Sequence, residues 1–191
     1  MTGKKNLVYF PSWAIYGRNY QVADIPIDTV TDLAYAFFNI AEQPGKPGMY
    51  AAVMGDEWAD TMNLQALTTL QQTKAFVLHL AIGGWTWSKN FSLAVRTPAS
   101  REAFAQSIVA IFSKWPVFGG VSLDWEYLSN NGINYGLEGN SVHVDDPTNL
   151  VLFATLLRSK FASKVPLDLC VIAAPEKAKF PIATVAAAFD G

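Results

Sequence analysis

Short apolar segments rich in strand-forming residues alternate along this chain with segments whose apolar residues recur at helical spacing. Leu7–Phe10, Asp32–Phe38 and Phe76–Ile82 show almost no polar alternation, which is typical of strands buried on both faces of a parallel sheet. Val121–Glu126 and Leu167–Ala174 continue the series. This alternation predicts an α/β fold with a parallel sheet and right-handed crossovers.

Helices and loops are predicted in the intervals between these strands. Thr97 is a favourable N-cap, Pro98 suits the first helical position, and apolar residues from Phe104 to Trp115 recur on one face of the helix that follows. Further helices are predicted over Asn63–Thr73, from Asp146 and Pro147 onward, and over Ile182–Phe189. Turn-rich composition predicts loops over Gln43–Gly48 and Ser129–Asp146.

Five parallel strands fit two architectures. One is an open, flavodoxin-like sheet, and the other is the first part of an eight-stranded (β/α)8 TIM barrel, which needs about 250 residues to close. The chain has 191 residues. An open five-stranded piece would expose a long apolar edge and an unpacked interior, so we expect the natural chain to continue past Gly191.

Composition excludes several classes of function. The net charge of −2 offers no positive excess for a phosphate backbone, so we expect no nucleic-acid partner. The single cysteine, Cys170, excludes a disulfide framework and a cysteine-based zinc site, and His79 and His143 fit no metal spacing. No apolar run is long enough to span a membrane, and residues 1–6 lack the apolar stretch of a secretory signal.

Aromatic residues follow several of the predicted strands, and they make up 13% of the chain. Trp13 follows the first strand, Phe38 ends the second, and Gly83, Gly84 and Trp85 follow the third. The carboxyl ends of parallel strands meet at one edge of the sheet, where α/β proteins place their sites. Because the apolar face of a sugar ring stacks on an indole or a phenol, these residues predict a site for a sugar polymer.

Two carboxylates lie at the end of the fourth predicted strand. Asp124 and Glu126 are two residues apart on a strand, so their side chains point to the same face. Carboxylates this close repel each other, and one of them tends to keep a proton. A glycosidase needs such a pair, since a protonated acid must act beside an ionised group. Substrate-assisted enzymes need no second carboxylate as nucleophile.

Three segments of the chain resemble family 18 glycoside hydrolases, the chitinase family. Ala81–Trp85 resembles the family's S-x-G-G-W motif on the third strand, and Gly119–Glu126 resembles its D-G-x-D-x-D-W-E signature on the fourth. Tyr9–Arg18 resembles the usual opening of a chitinase. The similarity covers nearly the whole chain. It implies a (β/α)8 barrel in which residues 1–191 form the N-terminal part of the catalytic domain, with about the first five β/α units.

The resemblance also implies roles for individual residues. Glu126 matches the general acid, and Asp124 matches the residue that orients the substrate's acetamido group and supports an oxazolinium intermediate. The implied activity is retaining, substrate-assisted hydrolysis of β-1,4-linked N-acetylglucosamine polymers, with chitin or chitooligosaccharides as partners and with no metal or organic cofactor. An extracellular location follows from this substrate, and a place in a larger secreted assembly is compatible with it. The implied substrate-binding residues are Tyr9, Trp13, Phe38, Gly84, Trp85 and Tyr127.

The chain departs from the family pattern in two respects. Ser122 stands where the signature has an Asp, so we expect a lower pKa at Asp124 than a carboxylate neighbour would produce, and slower turnover. The family's M-x-Y-D motif and a later subsite Trp have no counterpart up to Gly191. We therefore expect little turnover from residues 1–191 alone.

Two alternative functions stay open. The first is a chitin-binding, lectin-like relative without activity, which Ser122 favours and the presence of Glu126 disfavours. The second is an endo-β-N-acetylglucosaminidase that acts on the core of N-glycans. Away from the strand ends, His79 is interpreted as a core histidine and Cys170 as a buried small apolar residue.

Overall fold

A computed structural model describes residues 4–130, 132, 138–162, 164–174, 176 and 178–191 of the chain. Strands and helices alternate through this part of it. The strands are β1 (Leu7–Pro11), β2 (Asp32–Glu42), β3 (Tyr50–Met54), β4 (Val77–Gly83), β5 (Phe118–Asp124) and β6 (Leu167–Cys170). The helices are α1 (Glu57–Gln71), α2 (Gly84–Trp87), α3 (Phe91–Arg96), α4 (Pro98–Lys114), α5 (Asp146–Lys160) and α6 (Ile182–Ala186).

The strands form one sheet in the order β1-β2-β4-β5-β6, and each of these neighbours is parallel to the next. β3 lies antiparallel to the second half of β2. A flavodoxin-like sheet reverses its strand order at a switch point, whereas a barrel adds each parallel strand beside the previous one. The sequential order therefore makes this sheet a half-barrel, and the predicted partial (β/α) barrel is confirmed.

The two faces of the sheet differ in composition. One face packs its large apolar side chains, such as Leu33, Leu78 and Val121, against the helices. The other face carries a separate small apolar cluster centred on Ala34 and Ala81. The two faces differ because successive side chains of a strand point to opposite sides of the sheet. Small side chains thus lie at the centre of the inner face, and the larger Leu7 and Phe37 pack against them.

Local signals explain where two helices begin. The Thr97 hydroxyl accepts a hydrogen bond from the Ser100 amide at 3.0 Å and Pro98 is the first residue of α4, so the predicted start of this helix is confirmed. α1 begins earlier than the predicted Asn63. Asp56 is its N-cap and accepts a hydrogen bond from the Ala59 amide at 3.0 Å.

The hairpin of β2 and β3 was not predicted from the sequence. β2 continues past Phe38 to Glu42, the predicted loop over Gln43–Gly48 makes the turn, and β3 returns along β2. Ala52 of β3 donates its amide hydrogen to the Ser107 hydroxyl of α4 at 2.8 Å, so a tertiary contact holds the returning strand.

The predicted loop over Ser129–Asp146 lies partly outside the described residues, which omit positions 131 and 133–137. Within the part of the chain that the structure describes, no helix combines the length and the apolar character needed to cross a membrane.

Candidate functional site

A cleft of about 410 Å³ opens at the carboxyl ends of the central strands. This is the edge of the sheet at which the sequence predicted the site. Exposed aromatic rings and one carboxylate share the cleft. Its lining consists of Trp13, Phe37, Gly83, Trp85, Thr86, Trp87 and Glu126.

The two acidic residues differ in their surroundings. Asp124 is the last residue of β5 and is only 6% exposed, whereas Glu126 lines the open cleft. Burial, and then the negative charge of Glu126, raise the pKa of Asp124 to about 6. Asp124 is therefore half protonated in mildly acidic solution, so a proton can be held between the two carboxylates under conditions in which an ordinary pair is fully ionised.

Neutral polar groups lie beside Asp124 on the inner face of the sheet. The Tyr9 hydroxyl lies 3.4 Å from the Ser122 hydroxyl oxygen and 2.8 Å from the Cys170 sulfur. Cys170 is the partner of Asp124 in the register of β5 and β6. Burial raises the pKa of Cys170 to about 11 and raises the pKa of Tyr9 as well, so both groups keep their protons. Cys170 is half-buried and hydrogen-bonded, which differs from the purely apolar role interpreted from the sequence.

The predicted aromatic residues are partly exposed around the cleft. Trp13 is 51% exposed and Trp85 is 38% exposed. The rings of Trp13 and Phe37 are nearly parallel, with centroids 6.3 Å apart, and Tyr127 lies 6.0 Å from Trp85. Tyr9 is also exposed and lies 6.0 Å from Phe37. Large aromatic surfaces left open in this way are available to the flat apolar face of a ligand.

Phe38 requires a correction. It was expected at the cleft, but its side chain is 1% exposed and packs against Phe118 in the core between the sheet and the helices. The register of β2 and β4 is irregular between Tyr35 and Phe38, so the regular alternation of faces is broken there. Phe37 consequently lies on the cleft side and takes the place predicted for Phe38.

Two glycines shape the floor of the cleft. Gly83 has a φ of 103°, and a Cβ atom there would lie 2.5 Å from the Asp124 carbonyl oxygen. Gly84 has a φ of 76°, and a Cβ atom there would lie 2.7 Å from the Phe37 ring. Both positions require glycine because the backbone conformation and the close contacts exclude a side chain. The structure thus brings the predicted Gly84 against Phe37.

Sequence reasoning missed residues that hold the site without lining it. The fully buried Ser88 hydroxyl accepts a hydrogen bond from the Glu126 amide at 2.8 Å, and the Asn140 side chain donates one to the Glu126 carbonyl at 2.7 Å. No local signal marks these residues, since their partners are distant in sequence. Trp87 also lines the cleft and lies close to Gly55.

A second buried polar cluster lies on the inner face, away from the cleft. His79 Nε2 is 2.8 Å from an Asp32 oxygen, and its Nδ1 is 3.1 Å from an Asp168 oxygen, at ion-pair distance but outside hydrogen-bond geometry. Lys5 Nζ is 2.8 Å from Asp168. His79 is fully buried, in agreement with its interpretation as a core histidine. Among the described residues, no group of three or more His, Cys, Asp and Glu side chains is placed to hold a metal ion.

Sequence comparison relates the chain to one family of hydrolases. The profile of the glycosyl hydrolases family 18 matches residues 5–190. Chitinase A1 of Niallia circulans is 35% identical over 199 aligned residues, which cover 84% of this chain and 28% of that protein. Chitinase 1 of Aphanocladium album is 38% identical over 138 residues, which cover 66% of this chain and 32% of that protein. The chain therefore spans about a third of the length of these relatives.

Structure comparison agrees with the sequence comparison. Chitinase ChiA74 from Bacillus thuringiensis superimposes with a TM-score of 0.76 and 27% identity, covering 88% of this chain and 35% of that one. The Ostrinia furnacalis Group IV chitinase in complex with allosamidin superimposes with a TM-score of 0.81 and 25% identity, covering 96% of this chain and 48% of that one.

Proposed function

The chain belongs to the glycosyl hydrolases family 18, and we propose that the protein is a chitinase that hydrolyses β-1,4 bonds between N-acetylglucosamine units. One observation carries the proposal: buried Asp124 precedes Glu126 at the end of β5, and Glu126 faces a cleft lined by tryptophans. The chitinases among its relatives support the same substrate class. In this proposal residues 1–191 are the N-terminal part of the catalytic domain.

Glu126 acts first as the general acid. It gives its proton to the oxygen of the glycosidic bond, and the acetamido oxygen of the same substrate attacks the anomeric carbon as that bond breaks. The product of this step is an oxazolinium ion and a shortened sugar chain. Water then attacks the anomeric carbon and gives a proton to Glu126, so the configuration is retained and the enzyme is restored.

Asp124 supports the cationic intermediate. Its carboxylate accepts a hydrogen bond from the acetamido N–H and stabilises the positive charge that develops on the ring. The raised pKa of Asp124 supports sharing of a proton between Asp124 and Glu126, because Asp124 then changes its protonation state near pH 6. The proposed steps need no metal or organic cofactor, since Glu126 supplies the acid and the substrate supplies the nucleophile.

The sugar chain stacks on the exposed rings of the cleft. Trp13 and Trp85 line the cleft and are proposed subsite residues, together with Tyr9 beside Phe37 and Tyr127 beside Trp85. Phe37 takes the place expected for Phe38, and Gly84 leaves room beneath the sugar. We place the protein outside the cell because an insoluble polymer must be degraded there. A place in a larger secreted assembly is compatible with this location.

One observation favours a second candidate. Ser122 replaces a carboxylate of the family signature beside Asp124, and a chitin-binding protein without activity tolerates such a loss. Both candidates bind chitooligosaccharides, so only turnover distinguishes them. Release of sugars from N-glycan cores would instead identify an endo-β-N-acetylglucosaminidase.

The test is hydrolysis of chitooligosaccharides by the full-length protein and by Glu126→Gln. We expect the variant to bind the sugars and to lose hydrolysis by a factor of about 100 to 10,000, because the general acid is removed. Glu102→Gln on α4 is the matched control and keeps the wild-type rate. The newly formed anomer, read by NMR, should be β. Binding without turnover in the wild type would overturn the proposal.

A further inference from the structure

A serine outside the cleft holds the backbone of the proposed general acid. Ser88 follows α2 and is fully buried. Its hydroxyl oxygen accepts a hydrogen bond from the Glu126 amide at 2.8 Å, and its hydroxyl hydrogen lies within reach of the Asp124 carbonyl at 3.0 Å and the Gly84 carbonyl at 2.9 Å. One side chain therefore connects Asp124 at the end of β5, Glu126 two residues beyond it, and Gly84 at the start of α2.

A second side chain holds the other peptide group of Glu126. Asn140 is almost completely buried, and its side-chain amide donates a hydrogen bond to the Glu126 carbonyl at 2.7 Å. The peptide groups on both sides of the Glu126 Cα are thus held by side chains from two other segments of the chain. Gly132 lies against the same carbonyl, and a Cβ there would overlap both it and Asn140.

The two holding segments are also joined to each other. The Ser141 amide donates a hydrogen bond to the Lys89 carbonyl at 3.1 Å, and Lys89 Nζ lies 2.6 Å from a Glu138 oxygen. Residues 138–141 and the short turn after α2 therefore form one connected frame around Glu126. Without such a frame, Glu126 would lie on backbone beyond the last paired residue of β5, where no strand neighbour holds it.

We propose that Ser88 and Asn140 are positioning residues that fix the Glu126 carboxyl group at the distance from the glycosidic oxygen that proton transfer requires. This inference rests on the proposed function. The hydrogen bonds at the peptide groups act through the backbone, so neither residue touches the substrate. A displacement of about 1 Å at a catalytic group lowers a rate by about 100-fold. Hydrogen bonds that fix the backbone of Glu126 are therefore expected to affect the rate.

The test compares Ser88→Ala and Asn140→Ala with Ser100→Ala in the full-length protein. Ser100 is a matched control, because it is a buried serine at the start of α4 whose hydroxyl donates a hydrogen bond to the Thr97 carbonyl, and it is not among the residues that line the cleft. We expect Ser88→Ala to lower kcat for chitooligosaccharides about 10- to 100-fold and to leave KM within about twofold, while Ser100→Ala keeps the wild-type kcat.

Two further measurements separate positioning from a merely structural role. In a Glu126→Gln background, Ser88→Ala should cause a much smaller further loss of rate, because the proposed effect of the serine on the rate passes through the acid group of Glu126. The Glu126 amide should exchange its hydrogen at least about tenfold faster in Ser88→Ala, since its acceptor is gone, and at the wild-type rate in Ser100→Ala.

The proposal is overturned if kcat of Ser88→Ala equals the wild-type value, if the rate falls by the same factor in the Glu126→Gln background, or if exchange of the Glu126 amide is unchanged. Asn140→Ala gives an independent answer if Ser88→Ala does not fold. A wild-type protein without hydrolysis would overturn the proposed function instead, and the exchange rates would still decide whether Ser88 holds Glu126.

Discussion

At the scale of single residues, Asp124 is held where its negative charge is unfavourable. Its side chain is buried and lies beside Glu126, and these two causes raise its pKa to about 6 from an ordinary value of 3.8. The folded protein therefore binds this proton more tightly than the unfolded chain does. The free energy of unfolding is therefore reduced at every pH at which the unfolded chain has already lost this proton.

Asp124→Asn should remove this reduction in stability. Between about pH 4 and pH 6 the native state holds more protons than the unfolded state, so the free energy of unfolding of the wild type falls as the pH rises through this window. The total loss is roughly 3 kcal/mol above pH 6, from about two pKa units at 1.36 kcal/mol each. Denaturant unfolding from pH 3 to pH 8 should show the variant more stable at neutral pH and equal near pH 3. If the free energies of unfolding of wild type and variant differed by the same amount at every pH, the expectation would be contradicted.

Ser122→Asp should raise the pKa of Asp124 further, because it returns a like charge to the same face of β5. The acid limb of the pH profile for kcat/KM would then move to higher pH, and turnover would change with it. Ser122→Asn, of similar size and without charge, is the control. An unchanged rate together with an unchanged acid limb would show that Ser122 does not tune the pair.

Single residues of the site were predictable to the extent that local rules fixed them. Asp124 and Glu126 follow from the alternation of a strand and its position at the carboxyl edge, and Trp13 and Trp85 follow from the strand ends. Phe37 and Phe38 were exchanged because a register irregularity interrupts that alternation. The role of Ser88 could not be predicted, because it depends on a hydrogen bond from Glu126, which is distant in sequence.

At the scale of secondary-structure elements, the site depends on one sharp junction. β4 ends at Gly83 and α2 begins at Gly84, with no residue between them. The backbone of Gly83, with φ 103° and ψ −108°, lies in a region that residues with a side chain rarely adopt. This turn brings Trp85 to the cleft and lets β4 approach the Asp124 carbonyl.

Gly83→Ala should lower the free energy of unfolding by about 3 kcal/mol, because strain of about 1 to 3 kcal/mol at this conformation adds to overlap with Asp124 and Phe91. Gly119→Ala is the matched control: its added Cβ would meet only Val77, at 3.4 Å, and its φ is not positive. Thermal and denaturant unfolding of both variants measure the difference. Equal stability of the two would show that the junction tolerates a side chain.

Helices and strands were predictable where their own residues mark where they begin. α4 has its N-cap and proline in place, whereas β3 has no comparable signal and is held by pairing with β2 and by the bond from Ala52 to Ser107. The predicted strand from Leu167 ran to Ala174, but β6 ends at Cys170, because only the first half of that apolar run pairs with β5.

At the scale of the whole molecule, a cluster of charged and polar side chains connects the first of the described strands to the last. Lys5 precedes β1 and bonds to Asp168 of β6, and His79 of β4 lies between Asp168 and Asp32 of β2. Burial acts to raise the pKa of Asp168, but the nearby His79 ring and the hydrogen bonds from Lys5 together outweigh it and hold the pKa below its ordinary value. The cluster therefore stabilises the curved sheet as long as Asp168 is ionised.

Lys5→Met should lower the free energy of unfolding by about 1 kcal/mol at pH 7, because a buried carboxylate loses a charged donor while the lysine itself is partly exposed. The lowered pKa of Asp168 gives stability that is present above pH 4 and lost as the pH falls below it, so the difference from wild type should shrink there. Lys4→Met, at the exposed neighbouring lysine, is the control. A loss that persists unchanged at pH 3 would contradict the electrostatic origin.

The division of the sheet into an apolar outer face and an inner face of small and polar groups bears on how the molecule assembles. The water-excluding layer lies between strands and the helices that follow them, and its contacts join segments that are near neighbours along the polypeptide. The inner face carries only a small apolar cluster among the described residues, so packing of the outer layer does not depend on closure of a barrel. We therefore expect each strand–helix unit to pack as it leaves the ribosome, so that folding follows the direction of synthesis.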